Sequence, residues 1–388
     1  MSGTVTDGER LARSALTRVI EPGDQLLGEQ LARLGATEVW QALERDERLP
    51  EVPPPRWAGL RLRAERVVPG RDLEESAGCG GRLVCPGDHE WPGQLDDLGA
   101  ARPVGLWVRG ACSLRFVALR SVSLVGARAC TDYGTHMAGE LAATLAERGW
   151  TVVSGGAYGV DGAAHRGALA VGGPTVAVLA CGLDVAYPAG HRQLLERVAE
   201  GGLLVSELPP GERPTRGRFV QRNRVIAALS RGTVVVEAAL RSGSLITARR
   251  AARLGRHLMA VPGPVTSGLS AGTHRLIRQE ATLVGSAGEV IELVGAMGEV
   301  ADGERGPAVP RDLLGEAAGQ VLDALPVARA VTVPEIARGA CMSSEAALAR
   351  LLELGSLGFV EHVGDRWQLR RPAVRHALPA APRPEAGA

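Results

Sequence analysis

The chain has 388 residues, 45% hydrophobic and 22% charged, with a formal net charge of +1. That balance describes folded globular domains, two or three by length, and excludes a disordered or uniformly polyanion-coating chain. Every one of the 44 basic residues is arginine, so a P-loop, which needs its lysine, is excluded as well.

From the amino end, Leu11 to Ile20 and Leu26 to Leu43 read as helices, with Pro22-Gly23-Asp24 a turn whose aspartate serves as an N-cap. Pro53-Pro54-Pro55 then breaks the chain, and Pro86-Gly87-Asp88 and Trp91-Pro92 mark a loop-rich approach. Residues 1–115 are therefore expected to form an N-terminal helical domain whose chemistry is unreadable. No basic region followed by an apolar run opens the sequence and no run of about 18 apolar residues occurs, so the expectation is a cytoplasmic protein without a membrane partner. The six cysteines have no C-x-x-C pair, so no metal is expected, and no cofactor.

Over 116–300 the pattern changes. Short continuous apolar runs at Val122–Val125, Thr151–Val153, Thr175–Leu179, Leu203–Val205, Thr233–Val236 and His257–Val261 alternate with helical stretches. This predicts an α/β fold, a doubly wound parallel sheet covered on both faces. Ligands of such sheets sit outside the carboxyl ends of the strands. Residues 301–312 read as a linker. In 313–372, three helices and a hairpin follow the winged-helix order, and 373–388 is a Pro/Ala-rich tail expected to be disordered.

The unusual turns fall at strand ends. Gly126-Ala127-Arg128 follows the first run; the second and third glycines of a dinucleotide fingerprint are missing, so Arg128 reads as a phosphate clamp or as a surface ion pair. The next turn carries Gly155 and Gly156, whose backbone N–H groups can approach an anion. Asp161 and His165 share a helix face and suit either a structural hydrogen bond or acid–base work; no nucleophile accompanies them. Asp184 reads as a turn cap.

The densest signal is basic. From Arg213 to Arg256 there are eleven arginines and one acid, Glu237. Arg216, Arg218, Phe219, Arg222, Asn223 and Arg224 precede one strand, and Arg241-Ser242-Gly243-Ser244 opens a helix after it. Arginine forks beside a glycine-softened helix start suit phosphate groups. Phe219 serves either as a ring on which a base stacks or as a core residue. Arg249, Arg250, Arg253 and Arg256 fit a solvated helix face.

In order along roughly 115–285, Gly126-Ala127-Arg128 with Tyr133-Gly134, Ser154-Gly155-Gly156-Ala157 through His165, Gly182-Leu183-Asp184 with Tyr187-Pro188, Phe219 with Arg222-Asn223-Arg224, Glu237-Ala238 with Ser242-Gly243-Ser244, and Val261-Pro262-Gly263 resemble the DNA-processing protein A family. The resemblance implies an extended Rossmann-like domain, with a SAM or helix-hairpin-helix-like domain before it and a winged helix after it. It implies binding of single-stranded DNA, delivery to the RecA recombinase during natural transformation and recombination, a homodimer through the Rossmann domain, and no enzymatic activity. By resemblance, Arg128, Phe219, Arg222 to Arg224 and Ser242 to Ser244 match the DNA pocket, and Arg216 stands where a lysine often contributes. Ala127 departs from a common serine, and Gln279-Glu280 from a stretch that usually ends in glycine. The alternatives are a nucleotide or nucleoside-phosphate hydrolase using Glu237, and a transcription regulator working through a winged helix whose recognition helix carries only Arg350.

Overall fold

The computed structural model describes residues 5–296, 311, 314–327 and 329–370. They fall into two compact units divided between Asp302 and Gly303. The first is built on a nine-stranded sheet. In chain order its strands are β1 (Gly81–Val84), β2 (Leu106–Arg109), β3 (Ser121–Val125), β4 (Thr151–Ser154), β5 (Thr175–Leu179), β6 (Leu203–Ser206), β7 (Gly232–Val235), β8 (His257–Ala260) and β9 (Thr282–Leu283). In space the order is β1-β2-β6-β5-β4-β3-β7-β8-β9. From β6 to β9 every pairing is parallel, and β1 and β2 join antiparallel beyond β6.

The apolar runs form strands because both sheet faces are covered. Val122 and Leu124 of β3 pack with Leu141 and Leu145 of α7 (Asp132–Glu147) and Ala164 of α8 (Val160–Ala170). On the other face, Val125 and Val235 meet Val225 and Ile226 of α10 (Arg216–Leu229) and Leu245 of α11 (Ser244–Arg253). β3 lies between β4, the next strand in the chain, and β7, which comes after three more. The order reverses there, opening a crevice at the carboxyl ends of β3 and β7.

Three expectations for the first 115 residues need correction. The run from Leu26 to Leu43 is two helices, α2 (Gln25–Leu34) and α3 (Ala36–Arg45), parted at Gly35 with φ 86°. Pro54 and Pro55 start a helix, α4 (Pro54–Ala64), since its first turn has no use for their missing N–H groups. β1 and β2 lie before residue 116 and pair into the sheet, so this segment is not helical alone. Asp24 caps α2 as expected, accepting from Leu27 N at 3.1 Å.

Glu280 ends α12 (Ala271–Gln279) at φ 136°, a conformation that favours the glycine the family resemblance leads one to expect. The second unit holds α14 (Glu316–Asp323), α15 (Val333–Gly339), α16 (Ser344–Ser356) and the antiparallel hairpin β10 (Val360–Val363) and β11 (Arg366–Leu369). Val321, Ile336, Leu351 and Trp367 form its core. The expected linker, apart from Arg311, and the tail at 373–388 lie outside the described residues.

Candidate nucleic-acid interface

At the switch point the chain makes a cavity of about 850 Å3. Its first wall is the turn after β3. Gly126 is required there, because a Cβ would sit 2.6 Å from Val160 Cγ2 and 3.0 Å from the Glu237 carbonyl. Ala127 N donates to that carbonyl at 2.7 Å and fixes the turn, leaving Arg128 exposed. The second wall is the amino end of α10, capped by Thr215, which accepts from Arg218 N at 3.3 Å. Half-buried Phe219 lies here. The Arg128 guanidinium stands 4.9 Å from its ring centre, and the Tyr187 ring lies 5.5 Å away, tilted by 50°. Phe219 is thus neither core nor bare surface; an arginine and a second ring already frame it.

The third wall is the start of α11. Ser242 and Ser244 share a hydroxyl hydrogen bond of 2.7 Å, and Ser242 Oγ accepts from Ser244 N at 3.3 Å, which shapes the turn at Gly243. Asn223 Nδ2 reaches the Gly243 carbonyl at 3.5 Å and ties the second wall to the third. Arg241 is exposed on the rim. Among the described residues, no carboxylate pairs with Arg128, Arg216 or Arg241.

Of the residues expected to bind DNA, Gly126, Arg128, Arg216, Phe219, Arg222, Asn223, Arg241, Ser242, Gly243 and Ser244 line this cavity. Gly155, Gly156, Arg218 and Arg224 do not. Arg218 bonds Glu21 at 3.0 Å and Glu212 at 2.6 Å. Arg224 is buried and paired with Glu207 at 2.5 Å. Arg222 lines the cavity as well, its guanidinium carbon 6.0 Å from the Phe219 ring centre. Its buried guanidinium donates to the carbonyls of Gly155, at 2.6 Å, and Val178, joining the ends of β4 and β5. Burial pushes its pKa down to about 10, against the opposing pull of Asp161. Gly155 is glycine because a Cβ would meet that guanidinium at 2.6 Å. Sequence reasoning passed over Tyr187 as a cavity residue; an exposed tyrosine before a proline was its only signal.

Of the groups considered for catalysis, Asp161 borders the cavity but is buried, and His165, Asp184 and Glu237 lie outside its lining. His165 Nδ1 bonds Thr175 Oγ1 at 2.8 Å, and burial lowers its pKa to about 3, so it makes the structural hydrogen bond. Burial raises the Asp161 carboxyl, with Arg222 pulling the other way. Asp184 accepts from Gly211 N at 2.9 Å and closes a turn. Glu237 is buried and orients no arginine in any described contact: its oxygens accept from Thr131 N at 2.9 Å and Thr131 Oγ1 at 2.7 Å. A Cβ on Gly134 would stand 2.2 Å from that carboxylate, which accounts for the Tyr133-Gly134 motif. Among the described residues, no cluster of His, Cys, Asp and Glu could hold a metal, and no helix is long and apolar enough to cross a membrane.

A cationic, aromatic-framed cavity at the switch point of a doubly wound sheet defines a Rossmann-like ligand-binding protein. The model of the DNA recombination-mediator protein A family matches residues 82–295, and the chain belongs to that family. It is 46% identical over 372 residues to a putative DNA processing protein DprA of Mycobacterium tuberculosis, covering 93% of this chain and 95% of the relative. Against the DNA processing protein DprA of Streptococcus pneumoniae it is 42% identical over 204 residues, 53% of this chain and 71% of that one. The X-ray structure of the latter superposes with a TM-score of 0.62 at 30% identity, covering 76% of this chain and 100% of that one. The role of this chain is thus DNA processing and recombination mediation.

Proposed function

We propose that the switch-point cavity holds single-stranded DNA. Bases stack on Phe219 and Tyr187, while Arg128, Arg216 and Arg241 and the N–H groups opening α11 take the phosphates. One observation carries this reading: the Phe219 ring lies 4.9 Å from the Arg128 guanidinium and 5.5 Å from the Tyr187 ring, beside arginines that no carboxylate neutralises among the described residues. Every base has a π-face, so stacking plus backbone contacts grips a strand without choosing its sequence. Arg222 acts as a positioning residue, holding the floor on which Phe219 is mounted.

On this reading the protein performs no covalent chemistry, works in the cytoplasm during transformation, dimerises through the sheet domain and passes coated strands to RecA. Family membership supports that assignment. The C-terminal unit is then a winged helix that adds little to strand affinity, because the sole arginine of α16, Arg350, is paired with Glu353 at 2.5 Å.

The test is titration with fluorescent oligonucleotides of increasing length, alongside mononucleotides. Affinity should grow with length, and for strands that just fill the cavity log affinity should fall against log salt with a slope of about −2 for three phosphate contacts. The protein should also speed RecA filament assembly on coated strands, and a chain ending at Gly303 should keep its affinity within about tenfold, or 1.4 kcal/mol. Mononucleotides bound as tightly as long strands would sink the reading.

A further inference from the structure

A second cavity, of about 730 Å3, opens where the turn between α1 (Asp7–Val19) and α2 meets α10 and α11. Gln221 and Arg224 of α10 line it, with Arg250 and Arg253 of α11. The carboxylates around it already have arginine partners. Asp24 pairs with Arg56, Glu21 with Arg218, Asp97 with Arg256, and Glu207 with Arg224 beneath. Arg250 and Arg253 are left as positive charge in excess. Arg250 hydrogen-bonds Gln221, at 3.4 Å to its carbonyl and 3.3 Å to its side chain, and burial with the nearby Arg224 and Arg253 lowers its pKa against the pull of Glu207. Beneath, buried Arg224 has Nε and Nη1 without an acceptor. Two crowded guanidinium groups and unmet donors are what an anionic oxygen relieves.

The two cavities share α11. Ile246 and Thr247 line the first, Arg250 and Arg253 the second. Positions three, four and seven apart lie along one helix face, over about 10 Å at 1.5 Å per residue. A strand leaving the Phe219 cavity along α11 therefore meets Arg250 and Arg253 next.

We infer that this cavity is a second phosphate site, centred on Arg250 and Arg253, which takes phosphodiester groups of the strand held at Phe219. The choice of strand rests on the function proposed above; the phosphate chemistry does not.

The experiment uses the full chain with Arg250→Gln and Arg253→Gln together. Oligonucleotides just long enough to fill the first cavity should bind as in wild type. With longer ones, the log–log salt slope should become shallower by about 1.4, two contacts at 0.7 each. Inorganic phosphate should raise the melting temperature of wild type and not that of the variant. If the double variant melts early, Arg253→Gln alone, at an exposed residue, should remove about half the slope change. An unchanged slope with an unchanged phosphate response overturns the inference. A lost phosphate response with an unchanged slope assigns the site to free phosphate and overturns the strand path. Failure of short oligonucleotides to bind wild type sinks the proposed function instead, and leaves the phosphate arm standing.

Discussion

Arg216 and Arg222 stand on the same helix, yet the first is exposed on a cavity rim and the second is buried with its guanidinium on the carbonyls of Gly155 and Val178. Arg218 and Arg224 divide from Arg216 in the same way, each meeting a carboxylate. A run of arginines is thus two populations, and partners decide which. Where a carbonyl or carboxylate lies within reach, burial is tolerated and the residue builds the fold. Where none does, the charge stays open to a ligand.

Breaking the buried side of this comparison should have the largest effect. Arg222→Met keeps a long apolar side chain but removes the guanidinium that donates to two buried carbonyls, stands 6.0 Å from the Phe219 ring and offsets the charge of Asp161. Stability should fall by about 3–5 kcal/mol, read by urea denaturation, and binding should weaken only as far as the floor of the cavity deforms. A variant as stable as wild type with lost DNA binding would mean that Arg222 contacts the strand.

The aromatic part of the open side comes next. Phe219→Ala should cost about 1–3 kcal/mol of strand affinity with no change in salt slope. Because the ring is half-buried and its neighbours are Arg128 and Tyr187, the melting temperature should move far less than for Arg222→Met. A large melting shift with intact binding of the folded fraction would return Phe219 to the core.

Much of this was legible in the sequence, and the rest failed for definable reasons. Six of the seven parallel strands of the 116–300 segment were readable, since burial on both faces leaves continuous apolar runs such as Thr175–Leu179; the seventh, β9, is two exposed residues at the sheet edge and leaves no such run. β1 and β2 were not: Arg82 and Arg109 sit inside four-residue strands at the antiparallel side of the sheet, where no such run is needed. The cavity was legible as a set of turns because glycine at Gly126 and Gly134 answers to steric contacts that local motifs record. Assigning Arg218 and Arg224 to it was not safe, because their partners Glu21 and Glu207 come from other elements, Glu21 being 197 residues away in sequence from Arg218. Charge count locates a basic region; only the fold says which charges are taken.

Within the open side, the smaller step is Arg128→Ala. One phosphate contact fewer should flatten the salt slope by about 0.7 and weaken every sequence alike. Loss confined to particular sequences would show that Arg128 reads bases. An unchanged slope would mean that its role is limited to holding the Phe219 ring from 4.9 Å.

The smallest effect on binding is expected at the one acid of the basic segment. Glu237 lies under the start of α7, with its oxygens on Thr131 N and Thr131 Oγ1, and it does not border the cavity. Glu237→Gln keeps the shape: the amide oxygen still accepts from Thr131 N, while its NH2 meets the Thr131 hydroxyl as a donor in place of a charged acceptor, so a charge-assisted bond becomes a neutral one. That should cost about 1 kcal/mol of stability, the order of a lost helix cap. Strand affinity should stay within about twofold of wild type, since the charge is separated from the strand by the turn at Arg128. Nucleoside phosphates incubated with wild type should be recovered intact. If wild type cleaves them and Glu237→Gln does not, the buried carboxylate is catalytic, and the division between structural and ligand-facing charge drawn along α10 does not extend to this strand end.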